Sequence, residues 1–272
     1  MAMEELTTAE ALKQHLRLLH SIPLCIPVQL LHDGEPLDDA VVLDSPMDVQ
    51  MVLLPISSTE MKQAARELSE CAAQGHSEVL RWLLQAGADK DTTVIGKTAL
   101  LRAADTGQIE TVRLLLGAGA DKDMSDGSRS TALICACGKG HVETVSLLLE
   151  AGADSNLRDL FGDTALIRAS SQNHIETARL LLQARAKTDL TDEDKNTALI
   201  RASGKGNVDI VRMLLEAGAD ENLRDRWGHT ALMDAVDGGH ADVAHVLLET
   251  QSDNDLRNFA LIQASRRGQV DI

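Results

Sequence analysis

The stretch TALIRASSQNHIETARLLLQARAKTDLTDEDKNTALIRAS, residues 164–203, ends on a copy of its own beginning. Thr164-Ala165-Leu166-Ile167-Arg168-Ala169-Ser170 returns 33 residues later as Thr197 to Ser203. The same step of 33 places Thr-Ala-Leu at Thr98, Thr131, Thr164, Thr197 and Thr230. Nine residues after each Thr stands Gly107, Gly140, Asn173, Gly206 or Gly239. A Leu-rich run follows. Ala-Gly-Ala-Asp then closes the unit at 86–89, 118–121, 151–154 and 217–220, with Ala-Arg-Ala-Lys at 184–187 and Thr-Gln-Ser-Asp at 250–253. Five registered copies describe a stack of repeated units, each burying its apolar face against the next.

The chemistry of one unit predicts its shape. Thr opens a first helix, because its hydroxyl accepts from an orphan backbone N–H. Small residues over Ala165–Ser171 let neighbouring copies approach closely. Gly or Asn then supplies the positive φ of a tight turn. Val142, Val145, Leu148 and Leu149 recur at helical spacing and predict a second helix, which Gly152 stops. The polar stretch through Asp163 makes a turn or hairpin that leads to the next Thr.

Composition agrees with thin layers. Of 272 residues 44% are hydrophobic, yet the aromatics are two Trp, two Phe and no Tyr. The core must therefore be Leu, Ile, Val and Ala. A net charge of -16 disfavours nucleic acid and anionic membrane as partners. No stretch reaches the length of a membrane span. The N-terminus has no apolar signal core, and the four cysteines do not form a disulfide framework. The expected location is cytoplasmic, with the nucleus as the other compartment.

Helix, turn, helix and hairpin in 33 residues resemble the ankyrin repeat. Thr-Ala-Leu, the pairs Gly75-His76, Gly140-His141 and Gly239-His240, the Leu pairs and Ala-Gly-Ala-Asp carry the likeness. The chain departs from the family's Thr-Pro-Leu-His by lacking the Pro and the His. The implied fold is mainly α, an α-solenoid over residues 58–272 with about six repeats and a truncated last one. A first unit starts near Met61, where a polar capping repeat is expected. Phe259-Ala260-Leu261 arrives four residues early, which shortens the last connection.

Residues 1–57 follow another pattern. Ala9, Leu12, Leu16 and Leu19 share one helical face, and Ile22-Pro23 ends it. Val28–His32 and Val49–Leu54 read as strands, with Asp33-Gly34 as a turn. This small α+β segment resembles the second half of ubiquitin, without its first hairpin and without a Gly-Gly tail. The resemblance places Leu31 and Val52 at an apolar binding patch and implies partners from the ubiquitin pathway.

Candidate chemistry is sparse. No phosphate loop occurs. Residues 121–127 suggest a calcium loop, but Ala132 stands where a bidentate Glu is required. Cys137 takes a small-residue slot shared with Ala104, Ser170 and Ser203. His76, His141, His174 and His240 recur at one structural position and read as satisfied hydrogen-bonding residues. Nothing implies a catalytic set, a cofactor, a metal or a small-molecule substrate.

What remains is surface. In the ankyrin architecture the hairpin tips and first helices line a concave face. Arg102, Lys139, Arg168, Arg201 and Lys205 would form a basic band there, and Phe161 and Trp227 would stand at hairpin tips. This implies a noncatalytic scaffold or adaptor that binds a protein partner with an acidic surface. On that reading, alanine at Arg168 and Arg201 weakens binding without lowering thermal stability. The alternative is a regulatory ankyrin region, with this chain a fragment of a larger enzyme or channel.

Overall fold

The computed structural model describes residues 8–41 and 49–250. Among these residues two compact units form: 8–41 and 49–103 with 108–121, and 104–107 with 122–250.

In the first unit Thr8 caps α1 (Ala9–Leu19), its hydroxyl accepting from the Ala11 amide. Strands β1 (Val28–His32), β2 (Glu35–Pro36) and β3 (Val49–Leu53) pair antiparallel in the order β2-β1-β3. Asp33 and Gly34, both at positive φ, make the turn between β1 and β2. Val28 and Leu30 are buried, and α1 packs against their strand. Gln29 pairs with Val52 and Leu31 with Gln50. Because side chains alternate along a strand, Leu31 and Val52 share the opposite face.

Four helices complete this region of the chain: α2 (Met61–Gln74), α3 (Ser77–Gln85), α4 (Ala99–Thr106) and α5 (Ile109–Gly117). The small sheet module is tied to α2 and α3 rather than left apart. The Trp82 indole donates to the His20 carbonyl at 3.0 Å, and the Ile56 amide to Ala86 at 3.0 Å. The Cys25 thiol donates to Glu67 at 3.2 Å. Burial, reinforced by that carboxylate, pushes the Cys25 thiol up to about 12, and burial pushes Cys71 up to about 11. Such thiols resist ionisation and serve as core atoms. Burial holds Cys137 well above the ordinary thiol value as well.

The second unit stacks repeats. Its first helices are α6 (Ala132–Lys139), α8 (Ala165–Ser171), α10 (Ala198–Gly204) and α12 (Ala231–Gly238). Its second helices are α7 (Val142–Glu150), α9 (Ile175–Gln183), α11 (Val208–Glu216) and α13 (Ala241–Thr250). The two sets form two packed rows. Thr131, Thr164, Thr197 and Thr230 each accept from the amide three residues on, as their place before each helix predicts. Leu133, Leu166, Leu199 and Leu232 lie buried in one row, Leu148, Leu181, Leu214 and Leu247 in the other. The turn between paired helices has positive φ at Gly140, Asn173, Gly206 and Gly239. Gly152 also has positive φ, just beyond the Ala151 cap of α7.

No helix of the described residues is long and apolar enough to cross a membrane. The early Phe259-Ala260-Leu261 lies outside the described residues.

Candidate functional site

In the second unit each connection into a first helix folds around one aspartate. Asp126, Asp159, Asp192 and Asp225 occupy the same repeat position. Asp159 Oδ1 accepts from the amides of Phe161 (2.8 Å) and Asp163 (3.0 Å). Asp225 Oδ1 accepts likewise from Trp227 (2.9 Å) and His229 (2.8 Å). Asp126 Oδ1 accepts in the same way from the Ser128 and Ser130 amides, and Asp192 Oδ1 accepts from the Asn196 amide. The carboxylate thus templates the turn beside one backbone bond, which each Asp amide donates to the carbonyl four residues on at 2.9–3.1 Å. Neighbouring tips are joined by single backbone bonds: Leu160 to Ser128, Glu193 to Phe161 and Arg226 to Asp194, each 2.8 or 2.9 Å long. Gly162 marks how close they come, since a Cβ there would lie 2.8 Å from the Glu193 nitrogen.

Asp159 and Asp192 are only 2% and 4% exposed, and a buried carboxylate requires compensation. Arg168 Nη2 donates to Asp159 Oδ2 at 2.6 Å. Arg168 Nε lies 3.0 Å from Asp163. Arg201 donates to Asp192 Oδ2 through Nε (2.9 Å) and Nη2 (2.5 Å). Burial raises the Asp163 carboxyl above its ordinary range; Arg168 opposes that shift and the Asp159 charge adds to it. Two arginines of the expected basic band therefore hold tips together. Alanine at Arg168 and Arg201 would leave buried carboxylates unpaired, so the expectation of unchanged thermal stability does not stand.

The structure brings Arg168, Arg201 and Phe161 to one open recess of about 470 Å³, whose wall also contains Asp163, Asp192, Glu193 and Asp194. Phe161 is 65% exposed, and the Arg168 guanidinium lies 5.8 Å from its ring centroid. Trp227 is 64% exposed on its own tip, with Arg226 at 5.4 Å from the ring. Lys139 and Lys205 are exposed at the far ends of α6 and α10, and no ion pair to either occurs among the described residues. Arg102 belongs to the first unit, where its Nη2 donates to the Val94 carbonyl at 3.4 Å. Leu31 is half-buried and Val52 exposed on the outer face of the small sheet.

The recurrent histidines have a packing role. His141, His174 and His240 place Nε2 within 3.2–3.3 Å of the Asp105, Gly138 and Gly204 carbonyls, each in the preceding repeat. No local motif marks the tip aspartates as a set, because each stands within a polar turn. The signal was their exact 33-residue recurrence within a segment whose other residues vary.

A family model described as Ankyrin repeats (3 copies) matches the chain at residues 68–159, 100–192, 151–225 and 182–259. A search of curated proteins returns no match. With the matched segments running over well more than half its length, and with paired helices and capped turns repeating every 33 residues, the chain belongs to the ankyrin-repeat family.

Proposed function

We propose that this chain is a noncatalytic protein-interaction scaffold that engages a protein partner through the concave ankyrin face, at the hairpin tips. Ankyrin repeats are generally protein–protein interaction modules. The observation that carries the reading is the exposure of Phe161 and Trp227, half of the chain's four aromatics, on tips fixed by buried carboxylates. A rigid exposed ring loses little entropy on binding and contributes large apolar contact. Arg168 and Arg201 position the tips and add donors at the recess rim. Lys139 and Lys205 supply positive charge with no internal carboxylate and give an acidic partner its orientation.

Residues 1–57 are proposed as a second, ubiquitin-like binding module, with Leu31 and Val52 as neighbours on its outer face. The common side of the sheet supports this assignment. Its partners would come from the ubiquitin pathway.

The test uses the full chain as bait against cell extract, beside Phe161→Ala/Trp227→Ala and Lys139→Glu/Lys205→Glu variants. A protein captured by the wild type and purified should bind the aromatic variant about thirtyfold more weakly, as the loss of one real anchor implies. The lysine variant should slow association and reduce its salt dependence. Equal affinity for wild type and aromatic variant would remove the tips from the interface. A Leu31→Glu/Val52→Glu variant tests the sheet module in the same assay.

A further inference from the structure

The tips of the second unit permit a comparison within one chain. At two of them the Asp Oδ2 faces an arginine nine residues on, Arg168 or Arg201. At the Trp227 tip the same place is occupied by Asp234, and His229 stands where the sister tips have Asp163 and Asn196. The guanidinium has been replaced by a second carboxylate while the first remains.

Asp225 is only 6% exposed. Its Oδ1 is taken by the Trp227 and His229 amides, whereas no donor meets its Oδ2 among the described residues. His229 Nδ1 lies 3.1 Å from Asp234 Oδ1. One ligand atom from each of Asp225, His229 and Asp234 falls within 4.8 Å of the others. Burial raises the Asp234 carboxyl above its ordinary range; the His229 hydrogen bond works against this and the Asp225 charge adds to it. A negative cluster is thus held at the spot where the Asp159 and Asp192 tips carry a cation.

We propose that Asp225, His229 and Asp234 form a binding site for one divalent transition-metal ion, with zinc the best fit, in place of the sister tips' guanidinium. One imidazole and two carboxylates suit a borderline cation, whereas calcium and magnesium prefer more numerous oxygen ligands. Zinc bonds of about 2.0–2.2 Å in tetrahedral geometry set ligand atoms about 3.3 Å apart. The His229–Asp234 separation is already near that value. Asp225 is the anchored ligand, since two backbone amides fix its carboxylate and leave Oδ2 to coordinate. His229 and Asp234 keep side-chain exposures of 41% and 24%, so rotation closes the remaining distance. A fourth position faces solvent and takes water or a donor from a partner. This inference stands apart from the proposed use of the aromatic tips.

The test titrates zinc alone into the full chain, wild type beside Asp234→Arg and His229→Asn. Both replacements copy residues that the chain already carries at these repeat positions, Arg201 and Asn196. Bound zinc is measured by dialysis and elemental analysis, and melting is followed in parallel. The wild type should bind one more equivalent than either variant, or bind it at least about tenfold more tightly. Its melting temperature should rise with zinc concentration by mass action, and the variants' should rise less. Other histidines and cysteines contribute a background common to all three proteins. Equal stoichiometry and affinity in wild type and variants would overturn the site. So would a wild-type melting temperature indifferent to zinc, a readout that requires no variant to fold.

Discussion

Asn207 and Asn173 depart together from a pattern that the other repeats of the second unit keep. Where the turn residue is Gly107, Gly140 or Gly206, the next repeat carries His141, His174 or His240. An added Cβ at those glycines would lie 2.5–2.8 Å from the imidazole Nδ1. Asn173 has a real Cβ at φ 59, and the side chain in the following repeat is the shorter Asn207. Asn207 Nδ2 still reaches back, donating to the Ser170 carbonyl at 2.7 Å. The two residues are therefore a steric pair across a repeat boundary. Asn207→His alone should overpack the site and cost about 2 kcal/mol. Asn173→Gly/Asn207→His should recover most of that loss, because it rebuilds the Gly–His pair of the other boundaries. Urea unfolding of the two single variants and the double gives the coupling energy, and additive effects would contradict the pairing.

Within the second helices, one buried slot is polar in three repeats and apolar in the next two: Thr111, Thr144, Thr177, Ile210 and Val243. All five are buried, and the hydroxyls of Thr111, Thr144 and Thr177 have no hydrogen-bond partner. A hydroxyl buried without a partner costs desolvation that a methyl group does not. Thr144→Val should therefore stabilise the protein by about 1 kcal/mol, read from the denaturant midpoint at unchanged m-value. An unchanged or lower midpoint would mean that the hydroxyl is satisfied after all. The helices themselves were legible because their causes are local. Thr caps, the turn glycines and the Leu spacing each act within a few residues, and the predicted Ala165–Ser171 helix is the observed one. The pairing of Arg168 with Asp159 was less legible. It depends on which way the turn points its carboxylate, and that is set by the amides of Phe161 and Asp163. Asp225, His229 and Asp234 are not legible as a cluster either, since polar residues at spacings of four and five ordinarily belong to a solvated loop.

The charge balance over the chain connects these sites to conditions. With 42 acidic residues against 26 lysines and arginines, and with Arg168, Arg201 and Arg226 already paired, carboxylate repulsion remains at neutral pH. Salt screens such repulsion over a Debye length of about 8–10 Å, so the melting temperature should rise between low and physiological ionic strength. Acid acts in the same direction at first. Asp163 and Asp234 have folded pKa values above their ordinary ones. Between the ordinary and the raised value the folded state binds more protons than the unfolded state, so stability increases as pH falls through that window. Asp89 and Glu60 are shifted down, chiefly by the hydrogen bonds their carboxylates accept from Asp91 and Ser57. Their contribution is present at neutral pH and is lost only as pH falls through their lowered values. The melting temperature at low salt should therefore peak on the acid side of neutrality and fall below it. Asp163→Asn, which copies Asn196 of the next tip, should raise stability at neutral pH and lose its advantage as pH falls. Melting curves for wild type and variant across this pH range decide the point. Parallel profiles would assign the acid gain to general repulsion, and a variant no more stable than wild type at neutral pH would show that Arg168 already offsets the burial of Asp163.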